Sequence, residues 1–177
     1  MQNITKRIIR ILCACILFLS LLVIRTPVWA DGEGLDLSQM QIVVPAQQTA
    51  VEKTAASELR KYLFNMTGAS IRIVTEGENQ GPGIYLGNTK YAAQKGIVYP
   101  TEGDTMGEAW TIQAVGEDLF LCGAPTRGPL YAVYHLLEDV LGVRFWNIWE
   151  EEIPFGSAVV PSDYSSSGVP AMEFREI

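Results

Sequence analysis

The sequence predicts an α+β domain over residues 40–161: a sheet with two helices packed on one face. Three observations carry that expectation. Two stretches place apolar residues at helical spacing, Ala55-Leu59-Leu63-Met66 and Leu130-Val133-Leu137-Leu141. Short apolar or alternating runs lie before, between and after them. The resulting order of strand, helix, several strands, helix and strands offers each apolar helix face a sheet to cover.

In chain order, QIVVP (41–45) is a β-branched strand stopped by Pro45. The helix after it opens with Thr49 and Glu52 at capping-box spacing, where each side chain satisfies a backbone N–H of the first turn. Gly68 stands where a C-cap is expected. SIRIVTE (70–76) alternates as a strand, ENQGPG (78–83) is a turn, GIYLGNT (83–89) is a strand, and TKYAAQKG is a short helix. EAWTIQAVGEDLFLCG (108–123) is the clearest hairpin, turning at Gly116-Glu117. Ala124 to Gly128 forms a loop, and Pro129 falls in the first turn of the second helix, where its missing N–H costs nothing. Gly142 ends that helix. VRFWNIW, EEEIP and AVVP are short extended pieces, and the serine-rich PSDYSSSGVP (161–170) places a linker at 162–171.

Residues 1–39 are not counted in the domain. Lys6, Arg7 and Arg10 form a basic head, an apolar run spans Ile11 to Ile24, and Val28-x-Ala30 precedes Asp31. That order is a secretory signal peptide, residues 1–30, cut after Ala30, and implies a secreted, periplasmic or cell-surface protein. The alternative is an uncleaved anchor, but fourteen residues fall short of the ~20 that span a bilayer. Residues 31–39 read as a flexible lead-in. Asp31, Glu33 and Asp36 do not fit a calcium-loop spacing.

The whole chain carries 13 basic and 20 acidic residues. Four of the basic residues leave with the leader, so the mature chain has nine against twenty, a net charge of −11. Such a surface excludes nucleic acid and anionic lipid as partners, and leaves a membrane contact only through the leader during export. Of three cysteines only Cys122 remains, so no internal disulfide is available.

Few residues offer chemistry. His135 is the single histidine, and Cys122 has no second ligand at a metal-binding spacing. Neither a metal nor another cofactor is expected. A Cys122–His135 nucleophilic pair is possible by residue type but not supported by spacing, and Cys122 reads as a small core residue. Glu150, Glu151 and Glu152 form the densest acidic run. Paired carboxylates can do acid–base work, but neighbours on a strand alternate faces, so a solvated edge is the better reading. Gly81-Pro82-Gly83 precedes a strand, not a helix, and cradles no phosphate. Trp110, Trp146 and Trp149 offer either a sugar platform or core. Arg127 either binds an anion or pairs with a carboxylate beside the helix start; the second reading is preferred. No catalytic residue is assigned.

The stretch EAWTIQAVGEDLFLCGAPTRGPLYAVYHLLEDVLGVRFW (108–146) resembles the small domain that precedes the catalytic barrel in bacterial β-hexosaminidases and α-glucuronidases. It is closest to a less characterised bacterial family that couples the same domain to a barrel. The matching features are a Glu-Ala-Trp strand, a hairpin, an Arg-Gly turn, a Leu-Tyr-x-Val-Tyr helix and Leu-Gly-Val-Arg-Phe-Trp. AASELRKYLFNMTGA (55–69) and GIYLGNT match too. The resemblance spans roughly 40–177 and implies a β-hexosaminidase domain 2-like fold, a mostly antiparallel sheet with two helices packed on one face, that supplies no main catalytic acid. It implies that residues 172–177 begin a barrel, so that the chain looks like the front of a longer glycoside hydrolase. The partners implied are that barrel of the same polypeptide and, through the parent enzyme, a carbohydrate substrate. The resemblance also puts Arg175 near sugar hydroxyls. The residues alone read slightly better as an ion pair of Arg175 with Glu173 or Glu176 at a frayed end. The rival reading of the whole is a free-standing secreted module that binds glycan or protein.

Overall fold

A computed structural model describes residues 34–171. The expected leader, the expected barrel start and Arg175 lie outside the described residues. Among the described residues no helix is long and apolar enough to cross a membrane.

The central sheet has six strands: β2 (Gln41–Val44), β3 (Ile73–Thr75), β4 (Gly83–Leu86), β5 (Trp110–Val115), β6 (Asp118–Gly123) and β10 (Ser165–Gly168). Their spatial order is β10-β5-β6-β4-β2-β3. Two small two-stranded sheets flank it. One pairs β1 (Gly34–Asp36) with β9 (Val159–Pro161), and the other pairs β7 (Arg144–Phe145) with β8 (Glu151–Glu152). The helices are α1 (Ala50–Thr67), α2 (Lys90–Gln94) and α3 (Gly128–His135).

The α+β class holds, and four of the seven strand pairings are antiparallel. The central sheet itself is mixed. Its β6-β4-β2-β3 half is parallel and its β10-β5-β6 half antiparallel. QIVV and GIYL fit central, two-sided burial without dictating strand direction. These runs do not alternate, because parallel central strands are covered on both faces. Ile42, Val44, Ile84, Leu86, Ile112 and Leu121 face one side and join α1 and α3 in the larger core. Val43, Tyr85, Phe120 and Cys122 face the other, under Ala92 of α2 and Ile97. Both apolar helix stripes therefore lie on one side of one sheet, with the short α2 on the other.

Helix α1 begins as expected. The Glu52 backbone N–H donates to Thr49 Oγ1 at 3.2 Å, and the Thr49 N–H donates to Glu52 Oε2 at 2.8 Å. Gly68, at φ 73°, closes the helix in the left-handed region that a side chain disfavours. Helix α3 departs from expectation. After His135 it widens into a π-turn over Leu136–Val140, closed by Leu141 N–H to Leu136 O at 3.1 Å. Leu136 and Leu137, within this turn, are both fully buried, and Leu130 in the first turn of α3 is half-buried.

Two stretches expected to be irregular are ordered. In the lead-in, β1 pairs with β9, and Leu37 is fully buried in the short turn that follows. In the linker, Ser165–Gly168 is an edge strand on β5. Serines carry no pattern of burial. The strand exists because β5 offers an open ladder, and because Gly168 lets the Trp110 indole lie flat against its backbone. A Cβ there would meet the ring at 3.0 Å.

Candidate functional site

The CGAPTRG turn is built by three backbones in close contact. A Cβ on Gly128 would sit 2.2 Å from the Ala109 carbonyl, and one on Gly123 would sit 2.4 Å from Gly128. Only glycine at both positions lets β6, the entry to β5 and the start of α3 meet. Hydrogen bonds then fix the junction: Ala124 N–H to Ala109 O at 2.8 Å, Gly128 N–H to Ala124 O at 3.0 Å, and Thr126 N–H to Gly107 O at 3.1 Å.

Arg127 donates to Glu108 Oε1 at 3.0 Å. Glu108 is buried, while Arg127 is largely exposed. The Tyr131 phenol and the Glu108 carboxylate both favour the charged guanidinium. Arg127 thus pairs with a carboxylate beside the helix start, as preferred from the sequence. A residue the sequence did not single out completes the clamp. Asp104 accepts from the backbone N–H groups of Glu108 at 2.8 Å and Ala109 at 3.0 Å. Burial pushes its carboxyl up, but those N–H groups, with Gly107 and Met106, outweigh it and hold the carboxyl below its ordinary value. The signal for it was an aspartate four residues before a buried glutamate, inside a glycine-bounded loop.

Beside this junction runs a groove of about 380 Å³. Trp110 of β5, Tyr131 and His135 of α3, and the segment Gly168 to Ala171 line it. His135 stacks on Trp110 with ring centroids 3.9 Å apart and planes at 19°. Its Nδ1 lies 2.9 Å from Asp139 Oδ2. A smaller hollow of about 130 Å³, lined by Gly103 to Met106 and Glu108, lies against Val169, Pro170 and Ala171. The two share that segment.

The other singled-out residues do not converge on the groove. Cys122 is buried on β6, its Sγ 3.2 Å from Gly87 O. Burial, then the charge of Glu52, pushes the thiol up to about 12, which leaves it unreactive. Glu151 accepts from the Tyr62 hydroxyl at 2.5 Å, Glu150 from the Asn147 amide at 2.9 Å, and Glu152 faces solvent opposite Arg144. Gly81-Pro82-Gly83 leads into β4. Trp110 is core, whereas Trp146 and Trp149 are exposed. Asp36 caps the turn after β1 through the Ser38 N–H. The second role of Glu52 was not legible either: its Oε1 also accepts from Asn88 N–H at 3.1 Å, tying α1 to the loop after β4. Among the described residues no group of three or more His, Cys, Asp or Glu comes together as a metal site. Chemically the arrangement positions backbone; its acidic groups are committed to structural partners or to solvent.

This is a mixed sheet with two helices on one face and a glycine-tight hairpin-to-helix junction, a fold that also occurs within glycoside hydrolases. Among solved structures it is similar to a family GH115 4-O-methyl-α-glucuronidase with specificity for decorated arabinogalactans, with a TM-score of 0.55 and 17% identity. The similarity covers 80% of this chain and 19% of that enzyme, so the chain spans about a fifth of its length. No family model and no curated protein matches the sequence.

Proposed function

We propose that this chain is the N-terminal domain of a secreted glycoside-hydrolase-like protein acting in glycan breakdown, and that it is not catalytic by itself. It would be the β-hexosaminidase domain 2-like unit that precedes a barrel. The observation that carries this reading is the fold shared with a region that makes up 19% of a glucuronidase. The carboxylate geometry supports it, since Glu151 accepts from the Tyr62 hydroxyl and Glu150 from the Asn147 amide. The clamp of Asp104, Glu108 and Arg127 would hold the surface on which Val169 to Ala171 leave the domain toward its partner, the barrel.

The full chain should turn over neither aryl glucuronides nor aryl hexosaminides. Turnover abolished by substituting Glu150 to Glu152 would overturn the non-catalytic reading. Reading on past codon 177 should give a barrel-length frame with acidic residues at strand ends; a stop codon would leave a free-standing module. In that longer protein Arg175→Ala should lose about 1.5–3 kcal/mol of substrate interaction, the size of a hydrogen bond involving a charged group, with folding intact. Unchanged kinetics would return Arg175 to an ion pair. Material exported by the native host should begin at or near Asp31, by N-terminal sequencing; a start at Met1 would contradict a cleaved leader.

A further inference from the structure

Four of the large apolar side chains that stand most exposed fall in one ten-residue stretch: Trp146 at 65%, Ile148 at 78%, Trp149 at 86% and Phe155 at 86%. Trp146, Ile148 and Trp149 sit in the turn of the β7–β8 hairpin, on a stiff base, and Phe155 follows β8. Trp146 N–H donates to Glu150 O at 3.0 Å, closing the turn. Asn147 Oδ1 accepts from the Trp149 N–H at 2.8 Å and the Glu150 N–H at 3.1 Å, and the Asn147 amide reaches Glu150 Oε2. Behind the tip, Phe145 packs edge-on between Tyr62 and Tyr134, at 5.6 and 5.3 Å. The Tyr62 hydroxyl holds Glu151. The indoles are thus presented by a turn whose backbone and flanks are already fixed, so a ligand that stacks on them orders little.

The chemistry of the rim selects among occupants. Asn147 and Glu150 are exposed in that turn and Glu152 on the strand after it, and the whole chain carries a net charge of −7. Phosphate, anionic lipid and uronate are repelled. An apolar protein face would strip water from the Glu150 and Glu152 carboxylates without returning donors. A neutral pyranose meets both demands: its C–H face lies on the electron-rich indole face, and its hydroxyls donate to the carboxylates. We propose that the Trp146–Trp149 hairpin tip is a stacking platform for neutral glycan chains, separate from the groove beside Trp110. The proposal stands on this surface alone and does not require a barrel downstream.

Affinity electrophoresis of the full chain in gels cast with galactan, xyloglucan or hydroxyethylcellulose tests it. Polygalacturonate serves as the charged comparison. At least one neutral matrix should retard the chain, with a change in tryptophan fluorescence, and polygalacturonate should not. Trp146→Ala and Trp149→Ala should each weaken retention by about tenfold, a modest share of a stacking contact. Trp149→Phe should keep part of it. Melting temperatures should stay unchanged, because both indoles are exposed. No retardation on any neutral matrix, equal retardation on polygalacturonate, or full retention of both alanine variants would overturn the proposal. So would self-association of the parent that Trp149→Ala abolishes, which would assign the tip to a second copy.

Discussion

At the scale of single residues, burial decides which groups matter. Leu137 has no exposed surface and lies between α1, α3 and the sheet. Leu137→Ala should lower unfolding free energy by about 2–5 kcal/mol in denaturant melts, because its neighbours cannot fully close the cavity. Cys122 is equally hidden, with its thiol held well above the ordinary value. Iodoacetamide at pH 8 should leave it unlabelled in the folded chain and label it fully in guanidinium. Prompt labelling under native conditions would show that β6 opens far more readily than its burial implies. The sequence assigned Cys122 and the capping pair Thr49–Glu52 correctly, because residue type and local spacing determine them. It did not reveal that Glu52 also holds Asn88, or that Asp104 staples the loop before β5. Those acceptors meet donors brought by other parts of the chain.

At the scale of elements, caps and close backbone contacts set the boundaries. Thr49→Ala should cost roughly 1 kcal/mol, the usual size for a lost N-cap. Glu52→Ala should cost more, since it frees the Asn88 N–H as well as the cap. Equal losses in chemical denaturation would mean that the Asn88 contact contributes nothing. The edge strand β10 depends on Gly168. Gly168→Val would drive a branched side chain into the Trp110 ring. Amide exchange should then quicken across Ser165–Gly168 and at Ala114, whose N–H donates to Tyr164 O at 2.8 Å. Protection elsewhere in the sheet should persist. The strand was illegible beforehand because a serine run has neither apolar alternation nor strong β-propensity. Its partner supplies the order. The π-turn after α3 was hidden because the apolar stripe, widened by Leu136 and Val140, fits an ordinary α-helix equally well.

Over the whole molecule, several acid groups are protected in their protonated forms. Burial first, then the charge of Glu58, pushes Tyr134 up to about 12. Burial and the hydrogen bond to Glu151 push Tyr62 further, and burial with the charge of Asp118 raises Tyr85. With Cys122, each has a folded value above its unfolded one. Their stabilisation is complete below the unfolded values, 9.0 for the thiol and 10.0 for the phenols, and is lost as pH rises toward about 12. Thermal stability should therefore fall steadily above pH 9, and Tyr134→Phe should flatten part of that decline; a melting temperature constant to pH 11 would contradict it. By itself the sequence determined the two helices, the hairpin and their shared sheet. Each rests on periodicity or capping chemistry, which neighbours in the chain supply. Only the tertiary structure decided that half the sheet is parallel, that the lead-in and the serine run are strands, and that Trp110 is core while Trp146 and Trp149 stand in solvent. Strand direction, edge pairing and the outward face of an aromatic ring depend on which distant segment arrives alongside, and residue spacing within one segment carries no record of that.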